Sequence, residues 1–203
     1  MNFTMVADEK VRKKIRPIRF LSMENVLLHD KSFELFLTQQ EIIERVKQLA
    51  AQINSDYKNK FPVLIGVLNG SFMFMADLMK EINIDCKIEF IKVSSYDGGT
   101  KSTGNVLEIL GLGADINGKD VIIVDTGKTL TYLLSTLNAK QPSSIKVVTL
   151  LLKPEVLETQ IPEIQYIGFE ISNHFVVGYG MDYNHIGRNL KDIYRLSEAS
   201  LLQ

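Results

Sequence analysis

The chain has no tryptophan, five prolines and a single cysteine among its 203 residues. Cys86 has no internal disulfide partner and no metal-ligand spacing around it, so the expected compartment is a reducing cytosol and the expected place of Cys86 is the core. Charge of one sign is missing too: 23 Lys+Arg stand against 24 Asp+Glu, a net of −1. That balance lacks the basic excess by which a nucleic-acid binder, or a protein held on an acidic membrane, declares itself. No run approaches the ~18 consecutive apolar residues of a membrane span, and the first residues carry no apolar signal core. The expectation is a soluble cytoplasmic protein with neither nucleic acid nor membrane as partner. The three histidines, His29, His174 and His185, show no ligand spacing and are expected on the surface or in loops.

What is present is an ordinary globular mixture, 45% hydrophobic and 23% charged, in a length suited to one domain. Residues 1–28 stand apart. Lys10, Arg12, Lys13, Lys14, Arg16 and Arg19 lie there with little apolar periodicity, and the segment reads as a poorly ordered extension of a domain spanning 29–203. Its basic composition matches a transit peptide, but Asp8, Glu9 and the scarcity of serine argue against that.

From Ser32 the pattern is regular. Phe33–Leu37 reads as a strand, and Thr38 with Glu41 has the spacing of a capping box. The helix that follows should bury Ile42, Ile43, Val46, Leu49, Ala50 and Ile53. Further strands are expected at 62–68, 87–93, 121–124, 145–152, 166–171 and 175–179, with helices near 72–82 and 129–137. Runs such as Val121-Ile122-Ile123-Val124 lack alternation, as strands covered on both faces do. The fold class is therefore α/β with a largely parallel twisted sheet flanked by helices. Ligands of such sheets sit beyond the carboxyl ends of the strands, which directs attention to the turns after Leu68, Val124 and Leu152.

The turn after Val124 is the most informative. Asp125-Thr126-Gly127-Lys128-Thr129 follows a buried strand and opens a helix, so that backbone N–H groups, two hydroxyls and an ammonium converge where a phosphate would bind. The P-loop pattern fails because Ile122 stands where its first glycine belongs, and the dinucleotide fingerprint fails at both Gly-x-Gly pairs. An ordinary βα turn with a threonine cap is the competing reading.

The same stretch resembles the core of the phosphoribosyl pyrophosphate (PRPP) motif of type I phosphoribosyltransferases. Other segments narrow the resemblance to the hypoxanthine(-guanine) phosphoribosyltransferases of purine salvage. Val67-Leu68-Asn69-Gly70-Ser71-Phe72 is similar to their pyrophosphate loop. Ser94-Ser95-Tyr96 through Lys101-Ser102-Thr103-Gly104 is similar to their mobile catalytic loop. Leu152-Lys153-Pro154, Gly168-Phe169-Glu170-Ile171 and Phe175-Val176-Val177-Gly178-Tyr179-Gly180-Met181-Asp182-Tyr183 are similar to the purine-binding hood, and Arg188-Asn189-Leu190 closes the series.

The resemblance implies a small hood built from N- and C-terminal segments, and a reaction in which PRPP and a 6-oxopurine give a purine nucleotide and pyrophosphate with Mg²⁺. Thr126, Gly127, Lys128 and Thr129 would hold the 5′-phosphate, and Asp125 would take the purine N7 proton as a general base. Phe175 would stack on the purine, Val176 would offer backbone groups to its edge, and Lys153 would donate to the 6-oxo group. Leu68, Asn69, Gly70 and Arg188 would receive pyrophosphate, the turn through backbone groups and a cis peptide. Asp182 would lie near the purine, the metal and pyrophosphate, and Ser95, Tyr96, Lys101, Ser102, Thr103 and Gly104 would belong to a closing loop. Relatives form homodimers or homotetramers, so self-association is also implied.

Two departures stand out. Family members place an acidic pair and two aliphatic residues between the buried strand and the Asp-Thr-Gly-Lys-Thr turn, and the acids bind the ribose hydroxyls. Here Val124 runs directly into Asp125. Asn69 also stands where many relatives carry lysine. The first departure makes a catalytically impaired nucleotide-binding relative the alternative reading; an RNA-binding regulator on the same fold is disfavoured by the balanced charge.

Overall fold

The computed structural model describes residues 19–20, 25–95, 107–125, 130–157 and 161–201. Two sheets organise them.

The larger sheet contains β4 (Val63–Leu68), β5 (Lys87–Ser95), β6 (Leu107–Leu110), β7 (Asp120–Asp125), β8 (Ser144–Leu152) and β9 (Ile164–Glu170) in the order β6-β5-β4-β7-β8-β9. Five of these strands are parallel, and β6 lies antiparallel along the β5 edge. The uninterrupted apolar runs have their explanation in the layers. Leu64, Ile122, Val124, Val148 and Leu150 face helices α1 (Gln39–Asp56) and α2 (Phe72–Glu81). Val63, Ile65, Val67, Val121, Ile123 and Val147 face α3 (Leu130–Asn138) on the other side. Both pleat faces are dry, so both select apolar residues; fully buried Thr149 in β8 satisfies its hydroxyl on the Leu151 carbonyl.

Helix α1 starts where the sequence says it should. Thr38 Oγ1 accepts from the Glu41 amide at 3.3 Å, and Glu41 Oε2 accepts from the Thr38 amide at 2.8 Å, closing the capping box. Its buried face is Ile42, Val46, Leu49, Ala50 and Ile53; Ile43 is only half-buried. Cys86 is likewise half-buried, packed against the main core, and burial pushes its thiol up. No helix among the described residues is long and apolar enough to cross a membrane.

The second sheet is antiparallel, in the order β1-β2-β3-β11-β10: β1 (Arg19–Phe20), β2 (Asn25–Leu28), β3 (Lys31–Leu37), β10 (Val176–Val177) and β11 (Ile193–Leu196). It joins N- and C-terminal segments into a hood with its own small core of Val26, Leu28, Phe33, Val177, Leu190 and Tyr194. A short helix, α4 (Glu198–Leu201), follows β11.

The hood refines two sequence expectations. It begins before residue 29, because the alternation Val26, Leu28 gives β2 a buried face that pairs with β3. The strand expected over 175–179 shrinks to Val176–Val177, since Gly178, Tyr179 and Gly180 all adopt positive φ and turn the chain away from the sheet. This strand belongs to the antiparallel hood and not to the parallel series.

Candidate active site

Strands β4, β7 and β8 end on one side of the sheet, and residues at their ends line a cavity of about 450 Å³ beneath the hood. Nine of the residues singled out from the sequence line it together: Leu68, Asn69, Gly70, Asp125, Lys153, Phe175, Val176, Asp182 and Arg188. They come from stretches far apart in the chain, so their convergence is a property of the fold.

The floor is made by strand ends. The Leu68-Asn69 peptide is cis. Beyond it Ser71, the residue preceding α2, is fully buried and donates its hydroxyl to the Val67 carbonyl at 2.7 Å. Asp125, the last residue of β7, is 4% exposed and has its place in the cavity wall. The phosphate-turn residues Thr126, Gly127, Lys128 and Thr129 connect it to Leu130 and lie outside the described residues. The same holds for Tyr96, Lys101, Ser102, Thr103 and Gly104, while Ser95 is the last residue of β5.

The base side of the cavity comes from β8 and the hood. Lys153 follows β8 directly, and its ammonium donates to the His174 carbonyl. That bond places the cation beside Phe175. The Phe175 ring is 41% exposed, and the rest of it leans on other aromatics: Phe33 at 6.2 Å and Tyr183, edge-on, at 5.9 Å between ring centroids. Tyr183 is tethered in turn by Asp30, which accepts its hydroxyl at 3.0 Å. Burial and that carboxylate push the Tyr183 phenol up. Val176 pairs with Arg195 across the hood.

The far side is the strap 178–188. Arg188 Nη2 meets Asp182 Oδ1 at 2.7 Å, and Nη1 donates to the Gly180 carbonyl at 2.7 Å. The other Asp182 oxygen accepts the His185 amide at 2.9 Å. One guanidinium thus fixes both a carboxylate and a backbone turn, a task suited to a planar fork of donors.

Sequence reasoning passed over several lining residues. Leu151, Val156 and Leu157 flank the turn after β8, to which the strand-end rule had already pointed. Met181 sits inside the motif string, but Asn173 had no sequence signal. The histidines lie away from any cluster of ligands: among the described residues no group of three or more His, Cys, Asp or Glu could hold a metal ion.

A cavity at the carboxyl ends of a five-stranded parallel sheet, with a buried carboxylate below and an aromatic, a lysine and an arginine-bound strap above, lies where open α/β sheets bind their ligands. The phosphoribosyl transferase domain model matches residues 33–184, and the chain belongs to that family. Within it the chain is an enzyme of the hypoxanthine-guanine phosphoribosyltransferase type. A hypoxanthine-guanine phosphoribosyltransferase of Staphylococcus aureus is 44% identical over 167 residues, covering 80% of this chain and 93% of the relative. A solved hypoxanthine-guanine phosphoribosyltransferase of Bacillus anthracis superposes with a TM-score of 0.72 at 36% identity, over 81% of this chain and 98% of that one. The hypoxanthine phosphoribosyl transferase of Trypanosoma cruzi superposes with a TM-score of 0.74 at 35% identity, over 83% of this chain and 93% of that one.

Proposed function

We propose that this chain transfers the phosphoribosyl group of PRPP to hypoxanthine and guanine, releasing pyrophosphate and forming IMP or GMP in the cytoplasm. The observation that carries the reading is the gathering of Asp125, Lys153, Phe175, Asp182 and Arg188 around one cavity. Such a reaction passes through a cation-like ribosyl centre, and it needs a platform for the base, a place for the departing anion and a proton acceptor.

Each need has a residue. The Phe175 ring presents its exposed part to the base, and Lys153 offers an ammonium donor to a 6-oxo group. An ammonium carries three donors, so the bond to His174 is compatible with another to a ligand. Adenine, with an amino group at that position, has no acceptor for it. Asp125 accepts the N7 proton from its buried place at the end of β7. Arg188 and the Leu68–Gly70 turn receive pyrophosphate, and Lys128 with its neighbours in the turn after Asp125 holds the 5′-phosphate.

Mg²⁺ fits this donor set. A hard cation that keeps much of its water takes one or two carboxylates and the substrate's phosphate oxygens, and Asp182 faces the cavity with lone pairs beyond the two that meet Arg188 and His185. Bound there, the ion would offset charge on the departing pyrophosphate.

Self-association belongs to the same reading. Ile88 and Phe90 stand exposed on one face of β5, and Phe72 is exposed at the start of α2, apolar surface that a second copy would cover. Light scattering on the purified chain distinguishes a dimer or tetramer from a monomer.

The direct run of Val124 into Asp125 favours a second reading, a relative that binds nucleotides but turns over poorly. Incubation with PRPP, Mg²⁺ and hypoxanthine, guanine or xanthine, followed for nucleotide, separates the two. IMP and GMP formation supports the transferase; measurable GMP or IMP binding with no product from any base supports the second.

A further inference from the structure

Two walls of the cavity come from distant parts of the chain: the Leu68–Gly70 turn that leads into α2, and the hood strap that carries Asp182 and Arg188. Tyr179 joins them. It is 1% exposed, has φ 47°, and donates its phenol hydroxyl to Asp77 Oδ2 at 2.7 Å. Asp77 lies about one and a half turns into α2, and its other oxygen meets Lys80 Nζ at 2.7 Å. The next strap residue, Gly180, has φ 97° and is pressed against the turn: a Cβ there would lie 2.3 Å from the Gly70 carbonyl oxygen. Any side chain at 180 would push strap and turn apart.

The phenol is held as a donor. Burial first, and the Asp77 carboxylate second, push the Tyr179 hydroxyl above its ordinary range, in keeping with its place as the donor in this bond. The strap has a framework of its own inside the hood. The Gly178 amide donates to Met181 at 3.0 Å, the Tyr179 amide to Leu190 at 2.9 Å and the Gly180 amide to Arg188 at 3.0 Å. Helix α2 is likewise held by its own buried face, Phe74, Met75 and Leu78, so loss of the Tyr179 to Asp77 bond would leave both strap and helix folded and remove the polar tie that sets one against the other.

The geometry points to Asp77 as a positioning residue for the pyrophosphate end of the site: by holding Tyr179 it seats Gly180 on the Gly70 carbonyl and fixes the Leu68–Gly70 turn against Asp182 and Arg188. Neither Asp77 nor Tyr179 lines the cavity. The role rests on the transferase reading for its ligand, and a pyrophosphate-binding readout separates the two ideas.

The test compares Tyr179→Phe, Asp77→Ala, Asp77→Asn and the Tyr179→Phe/Asp77→Ala pair by calorimetric titration with magnesium pyrophosphate and by steady-state kinetics. Tyr179→Phe and Asp77→Ala should each weaken pyrophosphate binding about fivefold or more, at the lower end of ordinary coupling between linked sites. KM for PRPP should rise by a similar factor while KM for hypoxanthine stays within about twofold. Asp77→Asn keeps an oxygen acceptor and should recover most of the loss. The double variant should be no worse than Asp77→Ala, because both changes break one bond. Tyr166→Phe removes a similar 2.7 Å phenol-to-carboxylate bond to Asp56 near the amino end of β9, reports lost stability alone, and should leave pyrophosphate affinity unchanged. Additive losses, equal rises in both KM values, unchanged pyrophosphate affinity, or no pyrophosphate binding by the unaltered chain would overturn the role. A chain that shows the expected binding pattern yet makes no nucleotide counts against the transferase reading and leaves the role of Asp77 standing.

Discussion

Arg188 and Asp182 hold each other at 2.7 Å on the wall of the cavity, and the same guanidinium reaches the Gly180 carbonyl. Pyrophosphate bound at Arg188 as proposed would share or replace these bonds. Arg188→Ala should therefore raise KM for PRPP by about tenfold or more, the scale of a lost bond to a charged group. Arg188→Lys should not restore it, because one ammonium cannot span both a carboxylate and a carbonyl as the fork does. Steady-state kinetics with varied PRPP provide the measurement, and wild-type KM in the lysine variant would show that the fork geometry is unimportant.

Asp125 terminates β7 with its carboxylate in the cavity wall. As the acceptor of the N7 proton it should be worth more than ~10-fold in turnover, so Asp125→Asn should lower kcat by at least that factor. The amide is nearly isosteric and keeps one oxygen acceptor. An unchanged kcat would mean that this carboxylate is not the base.

The parallel sheet was legible because burial on both faces forces the apolar runs at Val63–Leu68 and Val121–Val124, and α1 was legible because Thr38 and Glu41 carry their own start signal. The strap was not. Tyr179 reads as one more strand residue after Val176-Val177, and only the positive φ of Gly178, Tyr179 and Gly180 reveals that the chain leaves the sheet there. The tie from Tyr179 to Asp77 spans 102 positions and leaves no periodic trace. Sequence spacing shows which residues share a face; it does not show which two loops meet.

Alkali should destabilise the fold through its buried phenols. Burial, and then the Asp120 charge, push Tyr57 up to about 12 in the folded chain, whereas an exposed phenol titrates near 10. Between those values the unfolded chain loses a proton that the folded chain keeps. This contribution to stability is therefore complete below about pH 10 and is lost as pH rises toward 12, with a slope of up to ~1.4 kcal/mol per pH unit for one group. Tyr166 and Tyr179 are raised further and act in the same direction. Urea unfolding at a series of alkaline pH values should show the decline, and Tyr57→Phe should make it shallower. An equally steep decline in that variant would exclude Tyr57 as a source.

In the proposed base site Lys153 and Phe175 would act in different ways, and their variants should separate recognition of the 6-substituent from stacking. The Lys153 ammonium, held on the His174 carbonyl, donates; Phe175, braced by Phe33 and Tyr183, presents a ring. Lys153→Met keeps the apolar stem and removes the donor, so KM for hypoxanthine and guanine should rise roughly tenfold or more while adenine gains relative to them. Phe175→Ala removes a surface that is indifferent to the 6-substituent. It should weaken all purines by a similar factor and leave their ratio unchanged. Competition of hypoxanthine and adenine in one reaction reads that ratio directly. A ratio altered by Phe175→Ala and not by Lys153→Met would reverse the two assignments, because a donor discriminates between oxo and amino groups and a stacking face does not.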